Sequence, residues 1–171
     1  MVAVADPCVV TSVLLVDDHR LVRAGLAALL AGTEDITVVG EAADGRQAVD
    51  MAARLRPDVV LMDLSMPVLD GVAATRLILE DSPSTHVVVL TSFADHHRVT
   101  DAVAAGAVGY LLKDCDPRDL VGAVRTVAHG TLPVDPRLTS DGWRQPPRWL
   151  AGRRRRPRSD LAPRGGPLNA P

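Results

Sequence analysis

Three aspartates, one threonine and one lysine in this chain each follow on an apolar run. Asp17 and Asp18 close VLLV, Asp63 closes VVLM, Thr91 closes VVVL and Lys113 closes GYLL. A carboxylate at the end of a buried run is costly unless solvent or an opposite charge meets it. Carboxylates gathered together also drive one another toward protonation unless a cation sits among them. Oxygen ligands without His or Cys suit Mg²⁺, a hard ion that prefers octahedral geometry and keeps several waters. Beside such an ion, one carboxylate can attack a phosphoryl group and become an acyl phosphate. The ion, the ammonium and the hydroxyl would then balance the three oxygens of the transferred group. Phosphoryl acceptance by an aspartate is therefore the chemistry these five residues predict.

That chemistry needs a scaffold that delivers four separate runs to one rim. The sequence alternates short apolar runs with stretches of helical period five times. SVLLVDD leads into HRLVRAGLAALLAG, where Leu21, Val22, Gly25, Leu26, Leu29 and Leu30 recur at helical spacing and Gly32 can end the helix. ITVVGEA leads into DGRQAVDMAARLRP, whose Ala48, Val49, Ala52 and Leu55 share a face ahead of Pro57. DVVLMDL, THVVVLTSF and VGYLLKD open the remaining units. In the last of these, Asp116 can cap a helix that has Pro117 at its first position. Runs that are apolar at every position are buried on both faces. Such alternation predicts an all-parallel sheet covered on both sides, joined by right-handed crossovers. In open sheets of this kind ligands gather beyond the carboxyl ends of the strands, where strand order reverses.

At 171 residues and 47% hydrophobic content, the chain can form one ordinary domain. Aromatics make up 2%, so Val, Leu and Ala must fill its core. No apolar run approaches the roughly 18 residues of a membrane span. The opening MVAVADPCVVTS lacks the basic flank of a secretory signal, so a cytoplasmic location is expected. Charge divides the chain sharply. Residues 1–140 carry 11 Lys and Arg against 19 Asp and Glu, whereas residues 141–171 carry 8 Arg against 2 Asp. An acidic body with a basic appendage is the result.

Four segments, LLVDDHRLVRAGL, DVVLMDLSMPVLDG, VVVLTSF and AGAVGYLLKD, resemble in order and spacing the receiver domain of two-component response regulators. The likeness runs from about Val13 to Gly130 and is to the subfamily that usually carries a C-terminal LuxR-type helix-turn-helix. It implies an α/β, flavodoxin-like (βα)5 doubly wound parallel sheet of strand order 2-1-3-4-5. It also implies roles. Asp63 stands at the phosphorylated position, Asp18 binds Mg²⁺ directly, and Asp17 does so through water or a hydrogen bond. The backbone carbonyl of Ser65 is a further ligand, Lys113 pairs with Asp63 or its phosphoryl group, and Thr91 hydrogen-bonds a phosphoryl oxygen. Tyr110 matches the family's rotamer-switch aromatic, while Pro67 and Gly71 shape the loop after Asp63, Gly71 being free to take a positive φ. Lys113 is followed by Asp114, where many receivers have a cis-proline. The implied function is a phosphoacceptor, not an enzyme beyond slow self-dephosphorylation. A histidine kinase would phosphorylate it, switching the face of helix four, strand five and helix five and regulating transcription, with homodimerisation a possible readout. A stand-alone receiver acting through protein contacts alone is the alternative.

The expected organisation is a lead over 1–12, the receiver over 13–130, a linker over 131–140 and a disordered Pro/Arg-rich tail over 141–171. With six prolines and four glycines, that tail sustains no helical period and cannot supply the subfamily's output module. Its abrupt divergence after GTLPVDPRLT favours the scar of a truncated or frame-shifted gene. The other two readings are that Arg153 to Arg156 and Arg158 bind nucleic-acid phosphates without sequence preference, or that the tail folds back on the acidic body or has no role. A haloacid-dehalogenase-type phosphatase also uses a strand-end aspartate, but it needs a second acid two residues on, where this chain has Ser65. His19 adjoins the acidic pair while His96 and His97 fall on a helix start, so no histidine metal site is expected. Cys8 and Cys115 fall at opposite ends of the sheet, beyond disulfide reach.

Overall fold

The apolar runs become the strands of one parallel sheet, and each periodic stretch becomes a helix packed on it. The structure, a computed structural model, describes residues 9–92 and 96–130. The readings made for residues 1–8, with Cys8, for the linker over 131–140 and for the tail over 141–171 lie outside the described residues. In chain order the elements are β1 (Thr11–Val16), α1 (Arg20–Ala31), β2 (Ile36–Ala42), α2 (Gly45–Leu55) and β3 (Val59–Asp63). They continue with α3 (Gly71–Asp81), β4 (His86–Thr91), α4 (His96–Ala104), β5 (Gly109–Leu112) and α5 (Pro117–Ala128). The sheet order is β2-β1-β3-β4-β5 with every neighbour parallel, the flavodoxin-like arrangement expected. Among the described residues no helix is long and apolar enough to cross a membrane.

Successive strand residues point to opposite faces, and the burial follows that rule. Val13, Leu15, Val59, Leu61, Val88 and Leu90 pack with Leu30 of α1 and with Leu120, Val124 and Val127 of α5. Leu14, Val16, Val60, Met62 and Val87 pack on the other side with Ala48 and Ala52 of α2 and Ala74 and Ile78 of α3. A third group, Leu64, Val89, Val99, Ala102 and Ala107, seats α4, and Tyr110 packs against it. Small alanines let the helices approach the sheet closely where a core of aromatic rings would hold them off.

Three details depart from the expected pattern. β1 begins at Thr11, inside the stretch read as a lead, because the Thr11 N–H donates to the Asp35 carbonyl and extends the ladder. Leu21, assigned to the apolar face of the first helix, is 88% exposed, since the face that meets the sheet runs through Leu26, Ala27, Leu29 and Leu30. Gly71 does not adopt a positive φ; among the described residues those that do are Arg56, Val68, Gly106 and Gly130. At the start of α5 the expected cap forms, with Asp116 accepting from the Arg118 N–H and Pro117 in the first turn.

Candidate functional site

At the carboxyl edge of β1, β3 and β5 three side chains meet. Lys113 Nζ lies 2.7 Å from Asp17 Oδ2 and 3.2 Å from Asp63 Oδ1. Asp17 follows the last residue of β1, where its N–H donates to the Ala42 carbonyl of β2 at 3.1 Å. Its side chain is buried, and Oδ1 accepts from the His19 N–H at 2.8 Å, an aspartate turn that launches α1. Asp63 is the last residue of β3 and is also buried. Its Oδ1 lies 3.4 Å from the Ser65 N–H. Lys113 follows β5, and its own N–H donates to the Thr91 carbonyl at 2.9 Å, so the ladder that continues β4–β5 fixes where the ammonium emerges.

The loop behind Asp63 explains two of its residues. A Cβ on Gly71 would fall 2.1 Å from the Asp63 carbonyl oxygen, so glycine is required here by close approach and not by backbone conformation. That position lets α3 start immediately behind the site, with Asp70 accepting from the Ala73 N–H as its cap. The tight reversal falls to Val68 instead, at φ 69, spanned by a hydrogen bond from the Leu69 N–H to the Pro67 carbonyl at 2.8 Å. A β-branched residue there is strained.

Burial raises the Asp63 carboxyl above its ordinary range; Lys113 opposes that shift, and the neighbouring Asp17 charge adds to it. Burial would by itself lower the Lys113 ammonium. The hydrogen bond to Asp17 and the charges of Asp63 and Asp17 more than reverse that, so Lys113 is held charged above its usual range. One cation is thus shared between two carboxylates.

Ligand atoms of Asp17, Asp18, His19 and Asp63 all lie within 4.8 Å of one another, a spacing that suits a single ion. The donor set fits Mg²⁺. Asp17 already serves Lys113 and the His19 N–H, which leaves it fewer free lone pairs and suits an indirect role. Asp18, with a side chain 29% exposed, is the open carboxylate. His19, expected to adjoin the acidic pair without forming a histidine metal site, has its Nδ1 3.0 Å from Asp18 Oδ1 and 3.3 Å from Asp17 Oδ1.

Thr91 is buried at the end of β4, and its hydroxyl donates to the Ser92 carbonyl at 3.1 Å. Tyr110, half-buried on β5, is paired in register with Val89. Two arginines went unnoticed in the sequence. Arg23, one turn into α1, donates to the Asp17 carbonyl at 2.6 Å and approaches Glu41 of β2 at 3.5 Å, which fixes the backbone of the acidic pair. Arg98 on α4 donates to the Ser65 hydroxyl at 2.7 Å. Each stands within a turn or two of a strand end that carries a reactive residue, and that proximity is the signal that could have marked them.

Comparison with known proteins agrees with this geometry. Residues 13–125 match the family described as the response regulator receiver domain. The transcriptional regulatory protein LiaR of Bacillus subtilis (strain 168) is 44% identical over 128 residues, covering 75% of this chain and 59% of that protein. The response regulator protein VraR of Staphylococcus aureus (strain NCTC 8325 / PS 47) is 43% identical over 126 residues, covering 74% of this chain and 60% of that protein. The chain therefore spans less than two thirds of the length of these relatives. A solved two-component response regulator of the LuxR family from Aurantimonas sp. SI85-9A1 superposes with a TM-score of 0.71 at 32% identity, covering 77% of this chain and 94% of that one.

Proposed function

Because the chain belongs to the response regulator receiver family, we propose that it accepts a phosphoryl group on Asp63 from a histidine kinase or a small acyl phosphate in the cytoplasm. The observation that carries this reading is the Lys113 ammonium lying between Asp17 and Asp63 at the strand ends. An Asp63 carboxylate oxygen attacks the donor phosphorus. The bond from phosphorus to the leaving nitrogen or oxygen breaks, and that atom keeps the electron pair. Lys113 steadies the charge building on the phosphoryl oxygens. Asp18, Asp63 and the Ser65 carbonyl would hold Mg²⁺, with Asp17 acting through water. When bound, the ion neutralises the crowded oxygens of donor and carboxylates.

The readout follows from residues on β4 and β5. The Thr91 hydroxyl exchanges the Ser92 carbonyl for a phosphoryl oxygen, which leaves room behind β4 for Tyr110 to turn inward. The α4–β5–α5 face then takes a second shape, a two-state response to a local charge. That shape favours homodimerisation or a partner protein and, as the name of the transcriptional regulatory protein LiaR suggests, regulates transcription. The reading is of a switch and not of a turnover enzyme. Incubation with acetyl phosphate and Mg²⁺ followed by mass spectrometry tests it. The parent should gain one phosphoryl mass, and Asp63→Ala should not; equal gain by both would sink the assignment.

A further inference from the structure

Resting on the phosphoacceptor reading above, we infer that His19 supplies a nitrogen ligand to the divalent-ion site, so that this chain favours Zn²⁺ over Mg²⁺ more strongly than its aspartates alone would. The imidazole is aimed at the carboxylates. Its Nδ1 lies 3.0 Å from Asp18 Oδ1 and 3.3 Å from Asp17 Oδ1. It belongs to the set of ligand atoms from Asp17, Asp18, His19 and Asp63 that converge within 4.8 Å. The backbone of His19 is fixed on both sides. Its N–H donates to Asp17 Oδ1 at 2.8 Å, and its carbonyl accepts from the Arg23 N–H at 3.1 Å. The Arg23 guanidinium in turn donates to the Asp17 carbonyl at 2.6 Å. Position 19 is thus tied to the acidic pair.

His19 is the N-cap of α1, a place where Ser, Thr, Asp or Asn commonly meets the first turn with a side-chain oxygen. Here the side chain makes no capping bond. Core packing does not hold it either, since it is 69% exposed. What Nδ1 faces is the pair of carboxylates. The oxygens alone make a thin shell for an ion. Asp17 Oδ2 meets Lys113 at 2.7 Å, Asp17 Oδ1 already accepts from the His19 N–H, and Asp63 Oδ1 lies 3.2 Å from the same ammonium. Mg²⁺ suits such a shell because it keeps several waters and dehydrates reluctantly, and an imidazole in place of one water gains it little. Zn²⁺ bonds imidazole nitrogen as readily as carboxylate oxygen and is satisfied with four ligands. A ring nitrogen set against two carboxylates therefore biases the site toward the borderline ion. The choice of metal is made at position 19 as well as at the aspartates.

Isothermal calorimetry of the full chain with Zn²⁺ and with Mg²⁺, joined to nitrogen NMR of protein labelled in histidine, provides the test. Mg²⁺ should weaken the Zn²⁺ isotherm competitively, which assigns both ions to one site. On adding Zn²⁺, the His19 Nδ1 resonance should move to the position of a metal-bound nitrogen. His19→Asn should lower the ratio of Zn²⁺ to Mg²⁺ affinity about tenfold, the least that even a partner one step removed from a metal is usually worth. Asp18→Asn should weaken both ions. If His19 is only a counter-charge for Asp17 and Asp18, its removal frees them, both ions bind at least as tightly as before, and the unchanged ratio overturns the proposal. An Nδ1 resonance that stays in place at Zn²⁺ saturation, or Zn²⁺ that Mg²⁺ does not displace, overturns it too. Should His19→Asn melt well below the parent in EDTA, His19→Gln carries the same comparison. In each of these cases uptake of phosphoryl mass from acetyl phosphate with Mg²⁺ leaves the phosphoacceptor reading intact. A parent that binds neither ion and takes no phosphoryl mass overturns both.

Discussion

Lys113 sits between two buried aspartates, so the site is poised and uneasy at once. The raised Asp63 carboxyl gives that unease a sign. A folded-state value above the unfolded 3.8 means that the folded protein holds this proton more tightly. Stability from this group is then full below the unfolded value and declines as pH rises toward the folded one. At neutral pH without divalent ions, Asp63→Asn should melt at a higher temperature than the parent, and the gap should close as pH falls below that window; denaturation followed by circular dichroism reads both. Gly71 is the second sensitive residue. A methyl group there meets the Asp63 carbonyl at 2.1 Å, and backbone on both sides leaves it no easy escape. Gly71→Ala should lose roughly 1–3 kcal/mol in urea titration, the usual scale of overpacking, and should slow phosphoryl uptake by displacing the acceptor. Asp17, Asp18, Asp63 and Lys113 were legible from the sequence because each ends an apolar run. Arg23 and Arg98 were not, because helical period tells which face an arginine occupies but not where its long side chain reaches.

The elements owe their limits to local chemistry that the sequence displays openly. Asp116 and Pro117 announce the start of α5, and Asp116→Ala should cost about 1 kcal/mol in chemical denaturation. Apolar runs marked the strands, and β2 matches ITVVGEA from end to end although most of its positions are only partly buried. Leu61 of β3, fully buried between two helical layers, should cost roughly 2–5 kcal/mol when cut to alanine. What the pattern misjudged was facing and turn geometry. Leu21 belongs to the helical period of α1 yet points to water, because the face of α1 that meets the sheet runs through Leu26, Ala27, Leu29 and Leu30 instead. Gly71 was read through its permissive backbone, whereas its role is to make room; Val68 carries the left-handed turn although valine has no preference for it. Neither outcome follows from residue type, since both depend on which atoms of Asp63 and Leu64 lie behind the loop.

For the molecule as a whole, alternation of strands and helices fixed the layers but not the strand order. The 2-1-3-4-5 sequence of strands came from the family resemblance, and nothing in the runs themselves says that β1 lies between β2 and β3. That order is nonetheless what brings Asp17, Asp63 and Lys113 together, each on a different strand. It also ties cation binding to the stability of the entire sheet. Mg²⁺ at about 100 times its dissociation constant should stabilise the fold by about 2.7 kcal/mol. Melting in Mg²⁺ against EDTA should show this shift in the parent and lose most of it in Asp18→Asn, the open carboxylate. A core built from valine, leucine and alanine has one further outcome. The chain holds a single tyrosine, and that ring rests between β5 and the packing under α4. Isotope placed in tyrosine alone would therefore yield one set of ring resonances, a native probe whose shift reports motion of this face with no dye attached and no neighbouring signal to subtract.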